Sequence, residues 1–314
     1  MDGRLTTPRT TSSASASAEG LALGAGAYLL WGLVPIYWPL LEPASALEIL
    51  AHRVVWSLVT VTVLLAVLRR WRHALAVTRE PRRLAYVVVG AVAVAINWGT
   101  FIYAVNSDRV VEASLGYFIN PLVTIAFGVV FLRERLRRAQ WIGLSIAFAA
   151  VVELTWEYGH LPVIALTLAF SFGVYGLMKK RASIGSVEGL AIETVALLPV
   201  AVAYLAYLAL AGDSTFGSDG VGHALLLAST GLVTAVPLLL FGAAATRLSM
   251  TALGLIQYLA PILQFAFGVL VFHEAMSTGR WVGFVLVWIA LVVITVDATR
   301  HRRRVLREAA ASVV

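Results

Sequence analysis

Cysteine is absent from this chain of 314 residues, and charged residues make up only 13% of it. Without cysteine, disulfide frameworks, thiolate metal sites and cysteine nucleophiles are excluded. With so little charge, 60% hydrophobic residues and a mean hydropathy of +0.86, a water-soluble fold of this length is excluded as well. What the sequence does contain is a series of long apolar runs, which predicts an all-α membrane protein.

Sequence signatures of enzymes are missing too. We find no H-E-x-x-H, no G-x-S-x-G and no paired intramembrane aspartates, and without a Walker motif ATP cannot drive the chain directly. We therefore predict a protein that is not an enzyme and has no cofactor and no metal. The net charge of +7 does not indicate a nucleic-acid partner, because the basic residues lie between apolar runs rather than on one face.

Apolar runs of about 20 residues are long enough to cross a bilayer as helices. We predict ten such spans, at residues 20–38, 47–68, 84–105, 112–132, 139–155, 161–178, 187–210, 221–244, 250–272 and 280–297. If the N-terminus is cytoplasmic, 21 of the 24 Lys and Arg residues fall on the cytoplasmic side, as the positive-inside rule requires. The sequence thus predicts a multi-pass protein of a bacterial inner membrane with both termini in the cytoplasm.

The second half of the chain repeats the first. A shift of 140 residues places 112–155 on 252–295 without a gap, and 12 of these 44 positions are identical, Pro121/Pro261 and Trp141/Trp281 among them. Five spans per copy, an odd number, make the second copy enter the membrane in the opposite sense. We predict a disordered cytoplasmic tail at 1–19, inverted five-helix repeats at 20–155 and 156–298, and a basic tail at 299–314 that contacts membrane lipid.

The two repeated prolines mark the helices in which a binding site is easiest to build. Each proline leaves the carbonyl four residues earlier without its helical donor, and a carbonyl freed at membrane depth needs another donor, water or a ligand. Polar side chains near the prolines are predicted to bind substrate: Tyr117, Asn120, Gln257, Tyr258 and Gln264. The alternative is a pair of packing kinks whose polar side chains satisfy each other.

A second candidate group consists of charges within the spans. Arg53 and Glu193 are repeat equivalents, and intramembrane charges usually face a cavity. Because the repeat is inverted, we expect Arg53 toward the outside and Glu193 toward the cytoplasm, too far apart for an ion pair. Arg53 is predicted to bind substrate, with a carboxylate or phosphate favoured, and Glu193 to couple transport to a proton. In the alternative, Arg53 extends outward to the interface and Glu193 bonds to a neighbouring helix.

Three further residues are assigned less specific roles. His52, beside Arg53, is a candidate proton relay, although a structural hydrogen bond is the alternative. Asn97 and Trp31 lie deep in their spans, where an amide and an indole can contact a substrate or simply pack.

Several stretches resemble one family of permeases. They are AYLLWGLVPIYWPLL at 27–41, EILAHRVVWSLV at 48–59, NWGTFIYAVNSDRVVEASLGYFINPL at 97–122 and LIQYLAPILQFAFGVLVFHE at 255–274. These resemble RarD-type permeases of the EamA group in the drug/metabolite transporter superfamily. The resemblance implies ten helices, an inner-membrane location and movement of small metabolites or drugs, often outward. The second copy departs from the first, since Ala260 replaces Asn120 and Ile192 replaces His52.

The sequence therefore favours a secondary transporter, most simply an exporter, of small organic molecules by alternating access. The alternatives are a non-transporting sensor or scaffold on a transporter fold, and an ion channel. Expected partners are a small-molecule substrate and membrane lipid, with a homodimer left open.

Overall fold

The computed structural model of this chain describes residues 10–107, 109–158 and 161–270, and beyond these only residues 281–282, 285–286, 288–289, 292–293, 296–297 and 300. Up to residue 270 the chain folds into helices joined by short loops. In chain order these are α1 (Thr10–Tyr37), a 3-10 helix (Trp38–Leu41), α2 (Ala46–Val67), α3 (Trp71–Thr78), α4 (Pro81–Asn106), α5 (Val110–Leu132), α6 (Arg138–Tyr158), α7 (Val163–Ala182), α8 (Ser186–Ala211), α9 (Gly220–Arg247), α10 (Met250–Ile256) and α11 (Leu259–Leu270).

The helical membrane fold predicted from the sequence is confirmed. Seven described helices are long and apolar enough to cross a bilayer, and they belong to α1, α2, α4, α5, α7, α8 and α9. α6 is a further helix of 21 residues, and α10 with α11 supplies a shorter apolar stretch. The count of ten spans stays a prediction, because the predicted tenth span, 280–297, lies mostly outside the described residues.

The structure differs from the predicted elements in three places. α1 begins at Thr10, inside the tail predicted to be disordered, because Ala and Ser alternate there without Pro or Gly to stop the helix. An eight-residue helix, α3, occupies part of the basic loop between the second and third spans. The predicted span 250–272 is two helices, interrupted at Gln257 and Tyr258.

Proline chemistry explains this interruption. Pro261 has no N–H to give to the carbonyl of Gln257, and that oxygen instead accepts from the N–H of Ala260 at 3.4 Å, one residue earlier than in an α-helix. Pro121, by contrast, lies inside the uninterrupted α5. Repeat-equivalent prolines therefore have different local effects.

Side-chain caps begin two of the helices. The Ser45 hydroxyl accepts from the N–H of Glu48 at the start of α2, and the Ser249 hydroxyl accepts from the N–H of Ala252 at the start of α10. Glu134 adds a second cap to α10, because its carboxylate accepts from the N–H groups of Met250 and Thr251 at 2.7 and 2.9 Å. The end of α5 is thereby tied to the start of α10.

The packing brings helices of the two halves together. α4 and α5 pack on α7, α1 and α2 pack on α9, α2 packs on α8, and α5 packs on α10. The largest buried apolar cluster draws on α1 to α4 and α7 to α11. The interface between the two halves of the chain is thus the centre of the bundle.

Two of these crossings depend on glycine. A Cβ at Gly231 of α9 would lie 2.4 Å from the backbone of Trp56 in α2, and a Cβ at Gly254 of α10 would lie 2.9 Å from the carbonyl oxygen of Pro121. Neither crossing leaves room for a side chain, so glycine sets how closely these helix pairs approach.

Candidate functional site

A small cavity lies where α2, α4, α7, α8 and α9 meet, with room for about one water molecule. Its walls combine apolar side chains with hydroxyl and charged groups, and the polar and aromatic members are Arg53, Ser57, Trp98, Tyr175, Glu193, Thr194 and Thr234. This composition is typical of a ligand site, in which a few polar groups are set in an apolar wall.

Arg53 is held in place by one hydroxyl and two indole rings. Its Nε donates to the Oγ1 of Thr234 in α9 at 2.9 Å. The guanidinium carbon lies 5.1 Å from the ring centroid of Trp38 and 4.8 Å from that of Trp98, so it makes cation–π contacts with both rings. Within the described part of the chain Arg53 forms no ion pair.

Glu193 has a very different environment. Its carboxylate lies 2.7 Å from the Nζ of Lys179 in α7, and the two side chains are only 4% and 7% exposed. The hydroxyl of Tyr175 donates to the other carboxylate oxygen at 3.2 Å. Glu193 thus sits in a buried ion pair, and its carboxylate also accepts a hydrogen bond from Tyr175.

Arg53 and Glu193 both line this cavity, although we expected them toward opposite sides of the membrane, and in agreement with the prediction they do not pair with each other. Each lies seven residues into its helix (53 − 46 and 193 − 186), or roughly 10 Å along the axis. Long side chains cover the remaining distance to the bundle centre. Glu193 bonds to a neighbouring helix, as in the alternative interpretation of this residue. Arg53 contacts Thr234, Trp38 and Trp98.

The polar residues around the prolines do not belong to the lining of this cavity. Asn120, Gln257 and Tyr258 each carry a buried side-chain oxygen with no hydrogen-bond partner among the described residues. The side chain of Tyr258 packs among apolar residues of α5 such as Leu115 and Phe118. Tyr117 lies 6.4 Å, between ring centroids, from Phe101, and the side chain of Gln264 lies outside the described residues.

The remaining predicted residues take part in packing contacts. The amide of Asn97 in α4 donates to the carbonyl of Leu168 and the hydroxyl of Ser171, both in α7, at 2.8 and 3.1 Å. Trp31 lies edge-on against Phe172, within a buried aromatic group. His52 is 5% exposed and stacks on Phe216 at 4.8 Å, and neither ring nitrogen has a described partner.

Sequence reasoning missed Lys179, Thr234 and Trp38. Lys179 follows the predicted span 161–178, so the prediction places it in a cytoplasmic loop with Lys180 and Arg181. In the structure it lies inside α7 and is buried. Nothing in its local sequence separates it from its neighbours, since the pairing depends on α8. Thr234 and Trp38 reach Arg53 only through the packing of distant segments.

Comparisons with known proteins agree with this architecture. A family model described as the EamA-like transporter family matches the chain twice, over residues 18–156 and 162–296. Protein RarD of Streptomyces exfoliatus is 56% identical over 285 residues, with 91% of this chain and 90% of that protein covered. Protein RarD of Escherichia coli strain K12 is 42% identical, with 93% and 98% covered.

More distant relatives carry similar names. A protein called chloramphenicol-sensitive protein RarD in Pseudomonas aeruginosa is 31% identical, with 92% of this chain and 97% of that protein covered. One crystal structure is similar with a TM-score of 0.69 at 19% sequence identity, and covers 89% of this chain and 98% of that chain. At that identity the likeness shows a shared fold alone.

Proposed function

This chain belongs to the EamA-like transporter family, and we propose that it is a secondary transporter that exports small organic metabolites or drugs across a bacterial inner membrane. The observation that carries this proposal is the cavity that contains Arg53 and Glu193 at the centre of the bundle. Charges at membrane depth are costly and are usually retained where a substrate or ion passes. The relatives named Protein RarD and uncharacterized transporter YojE support the same class.

Alternating access by two inverted repeats is the mechanism we infer. The helix pairing supports it, because exchanging the halves converts one set of contacts into the other. The packing of α4 on α7 becomes that of α9 on α1, α5 on α7 becomes α10 and α11 on α1, and α2 on α9 becomes α8 on α4. If the two halves exchange their conformations, the bundle passes from a state open to one side of the membrane to an equivalent state open to the other side.

The small cavity corresponds in this scheme to an occluded conformation. A metabolite or drug does not fit into room for a single water molecule, so helices must separate before a substrate enters. Asn120, Gln257 and Tyr258 stay predicted substrate-binding residues of such an open conformation, as do Asn97, Trp31, Tyr117 and Gln264. Their unsatisfied buried oxygens, at Asn120, Gln257 and Tyr258, support polar contacts that form in another conformation.

Coupling is assigned to Glu193. The Lys179–Glu193 pair keeps two opposite charges buried together, and a proton on Glu193 would leave Lys179 uncompensated. Protonation therefore favours a conformation in which the pair is broken and Lys179 reaches water. His52 stays the second predicted coupling residue, and its buried ring stacks on Phe216.

Counterflow in proteoliposomes tests the proposal. Compounds that raise the melting temperature of the purified protein, chosen from amino acids, organic acids, nucleosides and amphenicols, are loaded inside. We expect accumulation of the labelled compound against no net gradient, which only an exchanging carrier produces. Binding without counterflow would establish the sensor or scaffold interpretation instead, and flux that never saturates would establish a channel. Everted vesicles from cells then give the direction of transport.

A further inference from the structure

The charges at the cavity do not cancel. Lys179 and Glu193 neutralise each other at 2.7 Å. Arg53 has no carboxylate partner in the described part of the chain, and its contacts are a neutral threonine and two indoles. One positive charge is therefore left over at membrane depth, where an uncompensated charge is expensive.

The contacts of Arg53 also determine which part of its guanidinium is available. The Trp38 and Trp98 rings contact the guanidinium, and Nε is occupied by Thr234. The two Nη groups make no hydrogen bond to any described residue, and together they form a planar fork that matches two oxygens of one anion. This is a geometry that suits the binding of an anion.

We propose that the transported molecule is an organic anion whose carboxylate or phosphate oxygens bind the Nη groups of Arg53. The anion supplies the charge that the site lacks, as Lys179 does for Glu193. Once the helices have separated to admit the molecule, its apolar remainder contacts Val54, Val94 and Leu238, which line the same cavity. This inference rests on the proposed transport function and adds the chemical class of the substrate.

The test compares anions with neutral molecules of the same shape. Melting temperatures of the purified protein in neutral, lipid-free detergent are measured at constant ionic strength with acetate, benzoate, phosphate or phenyl phosphate. Acetamide, benzamide and phenol serve as uncharged counterparts. We expect at least one anion to raise the melting temperature by about 3 °C at ten times its dissociation constant, with no rise from its counterpart. The carboxylate and phosphate arms distinguish the two headgroups.

Variants assign the effect to Arg53. Arg53→Met is expected to abolish the anion response, because it removes the guanidinium that the anion would bind. Arg53→Lys keeps the charge but not the planar fork, and should reduce the response. Arg79→Gln, which removes an equal charge from an exposed position at the end of α3, should leave it unchanged.

Two results would overturn the inference: no anion shifts the wild type, or the shift survives undiminished in Arg53→Met. Should Arg53→Met not fold, an undiminished shift in Arg53→Lys overturns it equally. Counterflow separates this failure from failure of the transport proposal. Exchange of neutral compounds alone rejects the anion inference and keeps the carrier, whereas Arg53-dependent anion binding without exchange rejects the carrier.

Discussion

Arg53 and Glu193 occupy equivalent positions in the two halves, since 53 + 140 = 193, and they line the same cavity on directly packed helices. Yet Glu193 is compensated by a buried cation, whereas Arg53 has no charged partner among the residues that the structure describes. The shift of 140 also sets Lys179 against Pro39, which follows Trp38 in the 3-10 helix. Where the second half provides an ammonium group, the first half provides an indole ring.

A repeated sequence has thus come to carry two unlike charge environments. The repeat preserves where a charge is placed on the helix but not how it is satisfied. Because α7 continues as an α-helix to Ala182, it carries Lys179 to the carboxylate. The corresponding segment of the first half leaves the α-helix at Tyr37 and presents an aromatic ring to the guanidinium instead. Each of the following substitutions alters the surroundings of either Glu193 or Arg53 and leaves the other residue's contacts in place.

Removal of the charge that compensates Glu193 should have the largest effect. Lys179→Met leaves a carboxylate buried without its partner, and loss of one member of a buried pair costs about 3–5 kcal/mol. We expect a large fall in melting temperature and in the yield of monodisperse protein by size-exclusion chromatography. The double variant Lys179→Met with Glu193→Gln should recover most of the loss. A double variant as unstable as the single one would show that packing of Lys179, not charge, is what matters.

The second largest effect is expected from a substitution that forces α2 and α9 apart near Arg53. Gly231 lies three residues before Thr234 on α9, and its substitution by Ala places a methyl group 2.4 Å from the backbone of Trp56. Overpacking of this kind costs about 1–3 kcal/mol and moves Thr234 away from Arg53. The thermal unfolding of Gly231→Ala is compared with that of Gly222→Ala on the same helix, where a Cβ meets open space. Equal stability of the two variants would contradict the close approach.

Some of the features behind these two predictions can be recognised in the sequence, and others depend on tertiary contacts that cannot. The apolar runs predicted the helical membrane fold, because span length and composition are local properties, and the resemblance of several stretches to RarD-type permeases implied the family. The polarity of Arg53 and Glu193 within spans also identified them as candidates. The pairing of Glu193 with Lys179 was not predictable, since 14 residues and a loop separate the two positions. The lack of a charged partner for Arg53 among the described residues was not predictable either, because it depends on how all the helices pack around the guanidinium.

Proline illustrates the same limit. Pro121 and Pro261 are identical in the repeat, and both predict a local disturbance. Only the second accompanies a break, where the chain turns at Gln257 and Tyr258. The close contact of Gly254 with the carbonyl oxygen of Pro121 shows that α5 is held by its neighbour along this stretch. Tertiary contacts, not the proline alone, decide whether the helix is interrupted.

A smaller effect is expected from a hydroxyl that contacts Arg53. Thr234→Val removes the acceptor of the Arg53 Nε at nearly constant volume, and a hydrogen bond to a charged group contributes about 1.5–3 kcal/mol. Thr194→Val is the matched control from the other half of the cavity, because its hydroxyl donates to carbonyls of its own helix, at Leu190 and Ala191. Melting temperatures of the two variants should differ, with Thr234→Val the lower. If both fall equally, Thr234 has no special relation to the guanidinium.

The smallest effect should come from an indole that contacts the guanidinium. Trp98→Phe keeps an aromatic ring over Arg53 but one with a weaker quadrupole, and cation–π contacts contribute about 0.5–2 kcal/mol in total. We expect a fall of a degree or two in melting temperature, and a larger one for Trp98→Leu, which has no ring. The decisive comparison is with the same substitutions in an Arg53→Met background. If the indole acts through the cation, Trp98→Phe and Trp98→Leu become nearly equal there. If their difference persists without the cation, the ring contributes by filling space.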